Sequence, residues 1–173
     1  MTDFSDDQAN RRAVVDWAEG MGLETLRNHL GAMTELKKEA AQTLTVFLAG
    51  ASALVGYVIS ALDKPSDAAV VLASAVLGIY VFVLCGLIVS KCMVVADAPT
   101  VGNHPLRLAQ VKYSITAIKE AELKNIEERI AQAKERNEGT ARWLNRVRGL
   151  ALLSPLVFSF AWMAFHCGAK HLP

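Results

Sequence analysis

The side chains with the most chemical potential are three cysteines and a histidine pair near the C-terminal end. His166, Cys167 and His171 are residue types that ligate borderline metal ions. No fourth donor accompanies them, so no metal site is expected. Cys85 and Cys92 stand elsewhere in the chain, and an odd number of cysteines at three separate places is not a disulfide framework. They are expected to act as small, semi-polar packing residues. There is no phosphate-binding glycine loop, no zinc spacing, no nucleophile elbow and no pair of carboxylates in a pocket. The chain is therefore not expected to be an enzyme or to carry a cofactor.

A different pattern is more informative. Gln42, Thr45, Ala49, Ser52, Gly56 and Ser60 recur at spacings of three and four. At 100° per residue they fall within about 80° of one another on a helix. Lys38 continues the stripe at one end and Asp63 at the other, while Leu44, Phe47, Leu54, Val55, Val58 and Leu62 mark the opposite face. Such a stripe can do two things in lipid. Small residues let helix backbones approach closely, and small polar residues can line a water path. Ser74, Gly78, Cys85 and Cys92 share a face in the next apolar segment, where close packing is expected. Pro155 is followed on one side by Ser159, Trp162 and His166. It is expected to kink a third segment, with a gating hinge as the functional alternative.

These residues need elements to position them. Residues 40–62, 68–90 and 149–169 contain no charged side chain. Roughly 20 apolar residues cross a bilayer core, so three transmembrane helices are expected (TM1, TM2 and TM3). None carries an acidic or basic residue in its middle, which argues against a pump or proton-coupled transporter. The expected fold class is an all-α membrane protein with three transmembrane helices and a cytoplasmic helical bundle. Residues 1–39 supply N-terminal cytoplasmic helices, 91–148 a cytoplasmic helical segment and 170–173 an outer tail. The longest polar piece is short for a separate enzyme domain. The chain has 173 residues, 53% of them apolar, and a net charge of +1. That balance points to a lipid bilayer and not to nucleic acid as the partner.

Basic residues set the orientation. Sixteen of the eighteen Lys and Arg precede TM1 or lie in 91–148, whereas the link between TM1 and TM2 has only Lys64 and the tail only Lys170. The N-terminus and the 91–148 segment are thus expected in the cytoplasm, and the 63–67 link and the C-terminus outside. No short apolar leader opens the chain, so TM1 is expected to serve as an uncleaved anchor.

Local signals place the remaining helices. Ser5 is a plausible N-cap with Asp6 and Asp7 in the first turn. Glu19-Gly20-Met21-Gly22 predicts a break. Leu23, Leu26, Leu30 and Met33 then form a cytoplasmic seam, and the helix carrying them is expected to run unbroken into TM1. Asn103 and Pro105 predict the start of a central helix. Its apolar positions are Leu108, Val111, Ile115 and Ile118, then Leu123, Ile126, Ile130 and Ala133, with a Glu120–Lys124 pair on the exposed side. Asn137-Glu138-Gly139-Thr140 predicts a bend ahead of Trp143. Trp143 and Trp162 are expected near the two membrane interfaces.

The residues Leu36-Lys37-Lys38-Glu39-Ala40 entering TM1, the short outer link around Pro65, and the helix through Tyr113 to Arg136 together carry a resemblance. In architecture, over most of the chain, this resembles the small transmembrane effectors of bacterial antiphage defence, of SLATT and Pycsar type. A third span placed last departs from that pattern. The resemblance implies a homo-oligomer in the bacterial inner membrane that disrupts it when a small cytoplasmic signal, such as a cyclic nucleotide, arrives. An oligomeric channel or pore-forming effector is therefore the expected function. The alternatives are a phage holin and a non-pore accessory or scaffold subunit.

Overall fold

In the computed structural model, residues 3–62, 67–94, 101 and 112–169 are described. They are all-α, in four helices: α1 (Asp3–Leu62), α2 (Ala68–Cys92), α3 (Ile115–Ala151) and α4 (Ser154–Ala169). The chain divides into two compact units, one from Met1–Glu35 and Ala96–Gly139, the other from Leu36–Val95 and Thr140–Pro173.

The first unit pairs the N-terminal part of α1 with the N-terminal part of α3. No proline interrupts α1, so nothing in its backbone chemistry forces a stop before Leu62. The helix is already formed at Asp3, so Ser5 stands inside it and is not its cap. The break predicted at Gly20–Gly22 is absent as well. Both residues are helical, and neither has a positive φ. Gly22 has a packing role instead: a Cβ built there would stand 3.0 Å from Cγ2 of Ile126. The missing side chain lets the two helices close.

Ion pairs flank this contact. Arg11 Nε donates to Glu120 Oε1 at 2.8 Å, and Lys119 Nζ reaches Asp16 at 2.6 Å and Glu19 at 2.9 Å. Glu120 therefore pairs with Arg11 across the unit. The hydrogen bonds from Lys119 to Asp16 and then Glu19 raise its pKa above the ordinary lysine value.

Ser114 starts α3, its Oγ accepting from Ala117 N at 3.3 Å and its carbonyl from Ile118 N at 3.1 Å. The predicted start at Asn103 and Pro105, and the positions Leu108 and Val111, lie outside the described residues. Ile115 is exposed, so the apolar seam of α3 begins later, around Ile118. Residues 137–140, where a bend was expected, lie within α3, which continues as helix to Ala151. Asn137 is turned inward, its Nδ2 donating to the His29 carbonyl at 2.8 Å.

The second unit holds the long apolar elements. Asp67 caps α2, its Oδ1 accepting from Ala69 N at 3.0 Å. With 25 residues, α2 extends about 37 Å, enough for a bilayer core of about 30 Å. Its core with α1 and α3 is a cluster of Ala40, Leu84, Ile88, Cys92, Leu144 and Val147. α4 packs along α2.

Among the described residues, two helices, α1 and α2, are long and apolar enough to cross a membrane. The third expected span is not one straight helix. α3 and α4 meet at a 41° bend, and a third crossing exists only if the bent pair is counted as one. With 16 residues, α4 alone reaches about 24 Å. The cause of the bend is Pro155, which lacks an N–H and cannot accommodate the carbonyl four residues back. That carbonyl, of Ala151, accepts instead from Ser154 Oγ at 2.7 Å. The kink thus falls at residues 152–153, inside the charge-free 149–169 window.

Candidate functional site

The second unit decides which face of α1 is spoken for. Ala40, Ala51 and Ala61 are buried, and Leu44 and Phe47 pack against the core cluster. Leu54 meets α2 where Gly78 leaves room: a Cβ on Gly78 would stand 3.8 Å from Leu54 Cβ. Val58 also faces α2, lining an apolar groove of about 240 Å³ with Leu54, Val55, Ile59, Ser74, Gly78 and Phe82. On the face expected to oppose the stripe, Leu44, Phe47, Leu54 and Val58 are thus engaged, while Leu62 is 72% exposed.

All six stripe residues, Gln42, Thr45, Ala49, Ser52, Gly56 and Ser60, are exposed. By helical rotation they lie opposite the packed side of α1. Large exposed apolar side chains border them, Val46 and Tyr57 on one flank and Leu48 and Ile59 on the other. The hydroxyls are partly occupied within their own helix. Thr45 Oγ1 donates to the Ala41 carbonyl at 2.9 Å, and Ser60 Oγ to the Gly56 carbonyl at 2.6 Å. The extension to Asp63 lies outside the described residues.

The small-residue face of α2 is inside. Ser74, Gly78, Cys85 and Cys92 are buried, and Ser74 Oγ donates to the Val70 carbonyl at 2.9 Å. Trp162 stacks on His166 in α4, with ring centroids 5.1 Å apart, and Cys167 is exposed. His171 lies outside the described residues.

Where α1 leaves its apolar stretch, polar contacts hold the second unit together. Arg148 reaches Glu39 Oε2 at 3.2 Å through both terminal nitrogens and Thr43 Oγ1 at 3.1 Å. Tyr80 OH donates to the Leu150 carbonyl at 2.8 Å. Lys91 Nζ and Arg146 Cζ both stand over the Trp143 ring, 5.6 Å and 5.4 Å from its centroid. Trp143 was expected at an interface; Arg146 follows it by three residues on α3, whereas Lys91 comes from α2 and was not foreseen.

In the first unit, the expected seam is unequally buried. Leu26 is fully buried, while Leu23, Leu30 and Met33 are half-buried. The facing side of α3 buries Ile126 and Ala133, but also Glu122, which the sequence did not single out, and Asn137, which it placed in a bend and not in the seam. Glu122 is paired with Arg129 at 3.4 Å and accepts from Asn125, and Asn137 Oδ1 is buried without a partner. Their spacing with Ile126 and Ala133 is the visible signal: polar residues at seam positions of one helix.

Family models, curated proteins and solved structures yield no match to this chain.

Proposed function

We propose that this protein is a homo-oligomeric channel or pore-forming protein of a bacterial inner membrane. Its water path is lined by the α1 stripe, and its opening is set by a signal received in the N-terminal helical unit. One observation carries the reading: all six stripe residues are exposed, opposite the face that α1 packs. Lipid tails gain nothing from a long strip of small and polar groups, whereas another protein surface or water does. Copies arranged with their stripes inward supply both. Val46 and Tyr57 on one flank, and Leu48 and Ile59 on the other, then form the contacts between neighbours.

The absence of charged residues from 40–62 suits passive conduction rather than coupled transport. The signal is proposed to be a small cytoplasmic ligand, such as a cyclic nucleotide, in an antiphage effector of the type the architecture resembles. It would act by shifting the population of two packings of the seam that α1 also carries.

A second reading has its own observation. Thr45 and Ser60 already donate to their own helix, so the stripe needs no water to satisfy those hydrogens. It would then be a close-packed contact, and the protein an accessory or scaffold subunit.

Ser52→Leu separates the two when ion flux in liposomes is measured together with oligomer size. A lining predicts reduced flux with assembly retained. A close-packed contact predicts overpacking by roughly 1–3 kcal/mol and a loosened oligomer. Unchanged flux and unchanged size would remove both roles for the stripe.

A further inference from the structure

We infer that Lys91, Arg146 and Trp143 form a binding site for the phosphate of an anionic glycerophospholipid. The two cations come from different helices, Lys91 from the last turn of α2 and Arg146 from α3, and both are exposed. They converge on one indole. Each cation lies within cation–π range of the ring, which attracts it without neutralising its charge. Nearby Arg148 shows the contrasting arrangement, since Glu39 neutralises it. Among the described residues, neither Lys91 nor Arg146 has a carboxylate partner. Two cations beside one indole, without a described carboxylate partner, suit an anion.

The surroundings indicate which anion. Leu87 and Val83 follow Lys91 at successive four-residue steps toward the middle of α2, and Leu150 follows Arg146 by the same step. Val83 and Leu150 are exposed, Leu87 is half-buried, and the Tyr80–Leu150 hydrogen bond ties the two helices together beside them. The charged end thus continues into an apolar wall running into the candidate spans. A phosphate carrying acyl chains matches both parts, while a soluble phosphate matches only the first. Trp143 is suited to the boundary, with an apolar body at headgroup level. Basic pockets between membrane helices bind anionic headgroups by this combination of charge and wall. The inference is independent of whether the α1 stripe conducts.

The test is native mass spectrometry of the full-length protein extracted from vesicles of equal phosphatidylglycerol and phosphatidylcholine. The wild type should retain phosphatidylglycerol preferentially. Each cation is worth about fivefold in binding, so Lys91→Gln/Arg146→Gln should lower retention about twenty-five-fold. Lys112→Gln/Lys134→Gln removes the same charge from the other unit and should leave retention unchanged. If the double variant at the site fails to fold, Lys91→Gln alone should show the fivefold loss, because Lys91 is exposed at a helix end. Wild-type retention by either site variant would overturn the inference. So would displacement of the lipid by equimolar glycerol phosphate, which would make the ligand a soluble anion.

Discussion

Gly20 and Gly22 are two residues apart on one helix, yet alanine should affect them in opposite ways. In a helix interior, glycine costs roughly 1 kcal/mol relative to alanine. A Cβ at Gly20 meets nothing within 4 Å, so Gly20→Ala collects that gain in full. For a chain of this size, about 1 kcal/mol corresponds to a rise of about 2–4 °C in Tm. At Gly22 the same gain is opposed by contact with Ile126 Cγ2 at 3.0 Å. Ile126 is only 2% exposed and its β-branched side chain is stiff, so it has little room to give. Overpacking of this kind costs roughly 1–3 kcal/mol. Gly22→Ala should therefore be neutral to destabilising by about 2 kcal/mol, with Tm unchanged or lowered by up to about 8 °C. Ile126→Leu removes the offending branch methyl, and in that background Gly22→Ala should recover much of its loss, a coupling that a double-mutant cycle reads directly. Circular dichroism melts in mild detergent provide the assay. Equal stabilisation by both alanines would refute the close approach, and loss of stability on Gly20→Ala would refute a continuous helix there.

Other consequences follow from the same packing. Leu26 is fully buried within a single chain, so Leu26→Ala should cost about 2–5 kcal/mol. Leu26→Asp should unfold the first unit and not merely weaken assembly, as loss of protease resistance in 1–35 would show. Because the folded state raises the Lys119 pKa, its contribution is complete below the unfolded value of about 10.4 and is lost as pH rises through the higher folded value. Melts should therefore show an alkaline step that Lys119→Met abolishes. Cys167 is exposed whereas Cys85 and Cys92 are buried. A membrane-impermeant maleimide should label Cys167 alone, and in intact cells if the C-terminal end faces outward.

The features legible from sequence were those set by local composition. Charge-free runs marked the apolar helices, and the spacing of Ser74, Gly78, Cys85 and Cys92 marked the buried face of α2. The helix continuing from the seam into TM1 was legible too, because nothing between Leu36 and Gln42 breaks a helix. What failed depended on residues distant in sequence. Gly20 and Gly22 read as a break, but α3 supplies a packing surface that rewards a helix there. Asn137 and Gly139 read as a weak point in the helix, but α3 runs through them and the Asn137 amide is used by His29; the kink at Pro155, by contrast, was legible from the proline itself. Val58 lay on the face opposite the stripe by periodicity alone, which does not say that α2 covers it. The approach of Lys91 to Trp143 has no local signature, because two helices must meet before it exists.

Single cysteines on α1 test the central claim most directly. Each is introduced into a background lacking Cys85, Cys92 and Cys167, reconstituted into liposomes, and exposed to a small water-soluble thiosulfonate. Ser52→Cys and Gly56→Cys lie on the stripe, Val46→Cys and Ile59→Cys on its flanks, and Ala51→Cys on the buried face. A water path lined by the stripe predicts rapid modification at Ser52→Cys and Gly56→Cys, with loss of ion flux as the label enters, and slow modification at the other three. Slow modification at Ser52→Cys and Gly56→Cys in liposomes that still conduct would contradict it, since the ions would then be crossing by some other route.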